Sequence, residues 1–400
     1  MTDWNLNAAK VPTRKLGRTQ TSILQLGWWQ AGGPPYFAMP DINQLVEVRK
    51  ICAERGVTHD CAPAYGKGMS EMLMYLTYCY LEPAWREQAG LEFRKQSDSI
   101  FSKCGLYWPR DGKMGTHADM HRSPDKHFGK PAEQVCGEEV RDLVLHEFEE
   151  SCIRMGVEFI NGYMLHWPLA KGGATAPAID WMVDGVVPAF AQLWKEGKVG
   201  AVGFANINLE ILAPLQKKAK ELAAAMGPAG EGFHIHFIQN DRSMLGIDVH
   251  GGKFGARDTV TGELAQFCVK ENIARMAYSS LGHGPPIPPA GPFVFVDHWS
   301  QSREQQLDMY NYRKDFHQKF AAMAKTLGCS SPQMGLAWLM SRELIPVFSA
   351  TIPKFLIDDI ESVNFIEAVR QADTEIEVLC EEYRQGLWAI IRRYGTGAKW

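Results

Sequence analysis

Val57–Tyr80 reads VTHDCAPAYGKGMSEMLMYLTYCY. It opens on a short, mostly apolar run that ends in an acid, Asp60. A loop with Pro63, Tyr65, Gly66 and Gly68 follows, and Met69–Tyr80 then has the composition and spacing of a helix. A short run, a polar loop and a longer helical segment make one strand–helix unit. One such unit fits many folds. The number of times it recurs decides between them.

Working outward, the unit recurs along the whole chain. Upstream, ILQLGWW (Ile23–Trp29) precedes DINQLVEVRKICAERG. Downstream, the short runs are Ser99–Cys104, Glu158–His166, Val199–Asn206, Phe233–Asn240, Ile273–Ser280 and Leu344–Ala350, and a helix-like segment follows each. About eight units is the count of a closed (β/α)8 TIM barrel rather than an open sheet. The short runs are apolar and rich in β-branched residues, as strands buried on both faces should be. Gly56, Gly156, Gly197, Gly227 and Gly328 stand where helices should end. No linker divides the chain, so residues 1–400 read as one α/β domain closed by an amphipathic C-terminal helix, EIEVLCEEYRQGLWAIIRR. Two polar, Gly- and Pro-rich insertions, 106–137 and 282–307, break the repeat. In a barrel these long loops would lie over the C-terminal mouth.

Bulk properties narrow the function classes. Hydrophobic residues make up 46% of the chain and charged residues 22%, which suits a large globular core. A net charge of −4 gives no basic excess for nucleic acid or a membrane surface. The nine cysteines form no CxxC pair, which argues against a disulfide framework or a cysteine zinc site. There is no secretory-type N-terminal segment and no run apolar enough to span a bilayer, so a cytoplasmic location is expected.

A barrel of this kind works at the C-terminal ends of its strands. Reading those ends gives Asp60 with Tyr65 just after it, Lys103, and His166-Trp167-Pro168. Beyond them come Asn206, Gln239, Tyr278-Ser279 and Ser349-Ala350. Asp60, Tyr65, Lys103 and His166 come from three neighbouring strands. A phenol is a poor acid at neutral pH, with an ordinary pKa of about 10. A nearby ammonium would favour the phenolate, an aspartate would orient that ammonium, and an imidazole would polarise a carbonyl. The set suits proton transfer to or from an oxygen during hydride transfer.

These stretches resemble the aldo-keto reductases. DCAPAYGKGMSE is similar to their D-T-A-x-x-Y-G-x-G-x-S-E motif, and FSKCG to their S-T-K-x-G strand. EESCIRMGVEFINGYMLHWP and LWKEGKVGAVGFANIN match two further family runs. The likeness holds its order from about Lys15 to Val363. It implies a catalytic tetrad of Tyr65, Asp60, Lys103 and His166, with Tyr65 as general acid or base. It implies NAD or NADP as cofactor, with Asn206 and Gln239 on the carboxamide and Tyr278 stacked on the ring. Ser279, Leu281, Ser349, Ala350, Thr351, Phe355 and Asp359 would lie along the rest of the cofactor. Trp29, Trp108 and Trp167 would line the substrate pocket.

The last strand–helix loop departs from the family. Phe355 stands where an arginine is common and Asp359 where an asparagine is common. An anion there would repel a 2′-phosphate and suit a ribose, so NAD is favoured over NADP. The A-P-x-Y-G variant resembles the aldose and pyridoxal dehydrogenase branch. With Trp28, Asp111, His117 and His121 near the expected mouth, it points to a sugar-like alcohol, hemiacetal or carbonyl substrate. Two alternatives are a redox-neutral sugar-modifying enzyme that retains NAD and a non-catalytic, cofactor-sensing regulatory subunit. A homo-oligomer is compatible with either. His117, His121 and His127 read as a solvated loop rather than a metal site, and Cys61 and Cys104 as packing residues.

Overall fold

The structure is a computed structural model and describes residues 10–34, 37–81, 83, 99–106, 124–168, 176–246, 260–282 and 303–394. Two short strands come first, β1 (Thr13–Leu16) and β2 (Thr19–Ser22), paired antiparallel. Eight strands then close a barrel: β3 (Gln25–Gly27), β4 (Thr58–Asp60), β5 (Ile100–Cys104), β6 (Ile160–Leu165), β7 (Val199–Ala205), β8 (Phe237–Asp241), β9 (Ala274–Tyr278) and β10 (Leu344–Phe348). Every neighbouring pair is parallel, and β10 closes on β3 with Val347 beside Gln25. Helices pack around this barrel, including Ile42–Arg55, Met69–Tyr80, Gly137–Met155, Leu209–Ala225 and Pro353–Ile360. The expected (β/α)8 architecture is therefore present.

The bore is a packed core. Phe101 and Phe237 meet inside it with ring centroids 5.3 Å apart. Two strand glycines make room for them. A Cβ on Gly162 would lie 2.1 Å from the Phe101 ring, and one on Gly203 would lie 2.6 Å from the Phe237 ring. Leu16 of the hairpin joins the same cluster, so the hairpin plugs one end of the bore. Gly17 (φ 57°) turns it against Gly200, and Arg18 donates to Trp194 O at 2.7 Å while lying 3.8 Å over the Trp194 ring.

The sequence pattern gave no sign of this hairpin. TRKLGRTQTS has one apolar residue in two four-residue strands, too little for a periodicity. Other differences concern boundaries. The helix Arg303–Thr326 begins inside the second insertion. The first insertion contains a short helix, Pro124–Phe128, and a turn of 3-10 helix at Ala132–Gln134. Within the insertions, 107–123 and 283–302 lie outside the described residues. The expected glycine stops are confirmed: Gly56, Gly156, Gly197, Gly227 and Gly328 all have positive φ.

A second core lies beside the barrel. Phe316, Phe320, Trp338 and Tyr383 are buried between the helices Arg303–Thr326, Ser331–Ser341 and Asp373–Arg393. The C-terminal helix approaches closely here, since a Cβ on Gly386 would lie 2.1 Å from the Tyr312 hydroxyl. Among the described residues, no helix is long and apolar enough to cross a membrane.

Candidate active site

Parallel strands in a barrel point their ends at one mouth. Asp60 ends β4, and Lys103 lies one residue before the end of β5, the next strand. The Lys103 ammonium meets Asp60 Oδ1 at 2.5 Å and donates to the Cys61 carbonyl at 2.9 Å. Both side chains are almost fully buried. Burial works against the ammonium, but the Asp60 carboxylate outweighs it and raises its pKa. Lys103 is a fixed cation at any ordinary pH.

Tyr65 sits in the loop after β4, and the backbone winds that loop tightly. Gly68 N–H donates to Pro63 O at 2.7 Å and Ser70 N–H to Tyr65 O at 3.2 Å. Gly66 has φ 61°, and a Cβ there would lie 2.0 Å from the Gly32 carbonyl. Only glycine fits that approach. The loop holds the Tyr65 ring 5.1 Å from Lys103 Nζ and edge-on to His166, with ring centroids 5.6 Å apart at 83°. The four residues expected to act together are therefore brought together.

The electrostatics differ from the sequence expectation. The ammonium was expected to bring the phenol nearer working pH. Burial instead pushes Tyr65 up to about 12, with Lys103 pulling down and Asp60 pushing up. The phenol is protonated at neutral pH, which makes it a proton donor at rest. Burial also raises the Cys61 and Cys104 thiols, which supports their reading as packing residues.

Support for the loop comes from residues that the sequence reading passed over. Glu71, fully buried in the first turn of Met69–Tyr80, accepts from Ser102 Oγ at 2.6 Å and Arg154 Nε at 2.6 Å. It ties the helix after the Tyr65 loop to the strand carrying Lys103. The available signal was the Ser-Glu pair that closes the DCAPAYGKGMSE motif.

The expected cofactor residues line the same mouth. Asn206, in the left-handed region at φ 59°, donates to the His166 carbonyl at 2.9 Å and accepts from the Tyr278 hydroxyl at 2.5 Å. Gln239 donates to Asp60 Oδ2 at 2.8 Å. Both amides are buried, and Tyr278 is half-buried. A nicotinamide needs a flat face and polar partners for its carboxamide, and this group of side chains provides both kinds. Ser279 has φ 50°, and Leu281 follows it in a turn closed by Gly282 N–H to Ser279 O at 2.7 Å. Ser349 Oγ donates to the Gly27 carbonyl at 3.1 Å, Ala350 is buried and Thr351 is half-buried.

Two expectations change. Asp359 is only 6% exposed, and its burial, then the neighbouring Asp358, raises its carboxyl well above the usual range. Burial therefore favours its protonated form and weakens the repulsion of a 2′-phosphate that an anion would exert. The reading of Phe355 stands: its exposed ring brings no cation to that position. Trp28 is buried, with its indole N–H donating to His59 Nδ1 at 3.0 Å, so it belongs to the core and not the mouth. Trp167 packs against Tyr65 through the cluster with Ala64 and Leu106, and half-buried Trp29 meets Phe37 edge-on at 5.0 Å. Trp108, Asp111, His117 and His121 lie outside the described residues. Among the described residues, no three His, Cys, Asp or Glu side chains are placed to hold a metal.

Similarity to known proteins agrees with this geometry. A sequence model of the Aldo/keto reductase family matches residues 23–377. The NADH-specific methylglyoxal reductase of Escherichia coli (strain K12) is 23% identical over 365 residues, covering 89% of this chain and 93% of that protein. Among solved structures, the glycerol dehydrogenase of Gluconobacter oxydans superposes with a TM-score of 0.61 at 18% identity, over 91% of this chain and 94% of that one. An aldo/keto reductase from Klebsiella pneumoniae, in complex with NADP and acetate, gives 0.55 at 18% identity, over 92% and 96%.

Proposed function

The chain belongs to the aldo/keto reductase family, and on that premise we propose that it moves a hydride between a nicotinamide cofactor and a small, sugar-like alcohol, hemiacetal or carbonyl, with Tyr65 as general acid or base. It is an NAD(P)-dependent oxidoreductase acting on carbonyl or CH–OH groups. One observation carries the finer reading: a half-buried phenol, a buried ammonium and a buried carboxylate, with an imidazole edge-on to the phenol, share one barrel mouth.

In the reducing direction, Tyr65 gives its phenolic proton to the substrate oxygen as hydride reaches the substrate carbon. Lys103 stabilises the phenolate that remains, and Asp60 holds Lys103 in place. His166 faces the same oxygen and orients it. When bound, the nicotinamide supplies or accepts the hydride, and Asn206, Gln239 and Tyr278 are the residues suited to hold it. In the oxidising direction the phenolate takes the alcohol proton.

NAD is the preferred cofactor in this reading. Phe355 offers no cation to a 2′-phosphate, and a relative is NADH-specific by name. Burial weakens any repulsion from Asp359, so the preference rests mainly on missing attraction. The aromatic surface of Trp167 beside Tyr65 supports a substrate with sugar-like CH faces.

The test is steady-state turnover with NAD(H) and NADP(H) against aldoses, glycosides, glycerol-like polyols and aliphatic aldehydes. The expected result is turnover of hydroxylated substrates with higher kcat/KM for NAD(H). Turnover of aliphatic aldehydes alone removes the sugar-like reading, and a higher kcat/KM for NADP(H) removes the NAD preference. Denaturing the purified protein and identifying any released nucleotide separates out a redox-neutral enzyme. Such an enzyme would release tightly held NAD and show no net turnover.

A further inference from the structure

Asp60 is held from two sides. Lys103 on β5 meets Oδ1 at 2.5 Å, and Gln239 on β8 meets Oδ2 at 2.8 Å. In the barrel order β4 and β8 stand opposite one another, so the Gln239 contact crosses the bore. Asp60, Lys103 and Gln239 are each no more than 2% exposed, so water does not compete for these bonds. An ion-paired carboxylate only accepts hydrogen bonds, so the amide must turn its nitrogen toward Asp60. The contact therefore fixes which way the Gln239 amide faces.

A carboxylate with one partner can still twist about its Cβ–Cγ bond. With a second donor on its other oxygen, its plane is set. The position of the Lys103 ammonium is then set as well, between Asp60 Oδ1, the Cys61 carbonyl and the Tyr65 ring. The side chains form one chain of contacts: Gln239, Asp60, Lys103, Tyr65.

We propose that Gln239 is a positioning residue of the proton-transfer step: by holding Asp60 across the bore it fixes Lys103 against Tyr65 and so sets the acid strength of the phenol. This deepens the functional reading above and rests on it. Gln239 thereby links the site suited to the nicotinamide amide with the acid that protonates the substrate. Its donor also spreads the Asp60 charge, and an Asp60 carboxylate left without it would bear harder on Tyr65.

A double-mutant cycle tests this. Single-turnover hydride transfer is measured at saturating cofactor in the wild type, Gln239→Met, Asp60→Asn and the double variant. Gln239→Met should slow transfer by about tenfold in the wild-type background and by less than about threefold beside Asp60→Asn, because the two residues act through one contact. Equal slowing in both backgrounds overturns the proposal. Cofactor Kd, measured in the same four proteins, reads any separate contact of Gln239 with the nicotinamide. Such a contact alone raises Kd equally in both backgrounds and leaves transfer uncoupled. Should Gln239→Met not fold, Gln239→Glu takes its place. Two adjacent carboxyls share one proton, so its pH–rate profile should gain an ionisation that disappears beside Asp60→Asn. An identical profile in both backgrounds overturns the proposal.

If the wild type transfers no hydride to any substrate, the functional reading fails. The role of Gln239 is then read from the Tyr65 phenol itself, in protein labelled with 13C at tyrosine Cζ and assigned by loss of the Tyr65→Phe signal. Gln239→Met should raise its ionisation midpoint in the wild-type background and not beside Asp60→Asn. An unmoved midpoint overturns the proposal.

Discussion

Tyr65 titrates near 12 because burial outweighs the adjacent Lys103. The consequence for pH has a definite sign. Alcohol oxidation needs the phenolate, whose fraction rises about tenfold per pH unit anywhere below the pKa. Carbonyl reduction needs the phenol, which is full across the same range. The oxidation rate should therefore climb with a slope near one in a log plot through neutral and mildly alkaline pH, while reduction stays level. A level oxidation profile would mean that another group takes the proton. Asp359 offers a second residue-scale prediction. Burial raises its folded-state carboxyl above the ordinary value of 3.8 that it keeps in the unfolded chain. A raised folded pKa contributes stability that is full below the unfolded value and is lost as pH rises. Asp359→Asn should raise the Tm at neutral pH, and the gain should fade as pH falls toward 3.8. Thermal melts at several pH values measure this, and a gain that persists in acid would contradict it. The meeting of Asp60, Tyr65, Lys103 and His166 at one mouth was legible in the sequence because each stands at or near a strand end. The charge states of Tyr65 and Asp359 were not, because they depend on burial by residues distant in the chain.

At the scale of elements, glycine placement controls packing in the bore. Gly162 leaves room for Phe101, whose ring atoms would lie 2.1 Å from an added Cβ. Gly162→Ala forces that ring off its rotamer or shifts β6, which should cost about 1–3 kcal/mol. Phe101→Leu should recover part of that loss in the same protein, read as the denaturant midpoint. No recovery would place the strain in the backbone instead. The strands of the barrel were readable because buried parallel strands are short apolar runs with glycine-ended helices between them. The β1–β2 hairpin was not. Its strands are mostly polar, and its place is fixed by tertiary contacts: Leu16 in the bore and Arg18 on Trp194. The helix from Arg303 was missed at its start for a related reason, since its first turns lie in a stretch whose composition reads as loop.

At the scale of the whole molecule, the barrel and the C-terminal helix depend on each other. Arg342 reaches Asp373 and, at 3.1 Å, Glu377, and Arg384 donates to the Leu245 carbonyl at 3.2 Å. Tyr383 stacks on Tyr312 at 5.4 Å and packs on Phe316. A chain ending before Asp373 would expose that core, including Phe316, Phe320 and Trp338. Such a truncation should unfold at lower temperature and bind a hydrophobic dye in its native baseline. An unchanged melt would show that the barrel is stable alone. The repeat of strand and helix made the barrel itself readable from sequence. The mutual packing of its last three long helices was not, because each amphipathic face can be read from sequence but its partner cannot.

The proposed reaction turns on Tyr65 as the proton donor in hydride transfer. The direct measurement is the rate of NADH oxidation with a hydroxylated carbonyl substrate, in the wild type and in Tyr65→Phe, with NADH binding measured in both. The wild type should turn over, and the variant should lose between about a hundredfold and ten-thousandfold while binding NADH as before. Equal turnover in the two proteins would contradict the account.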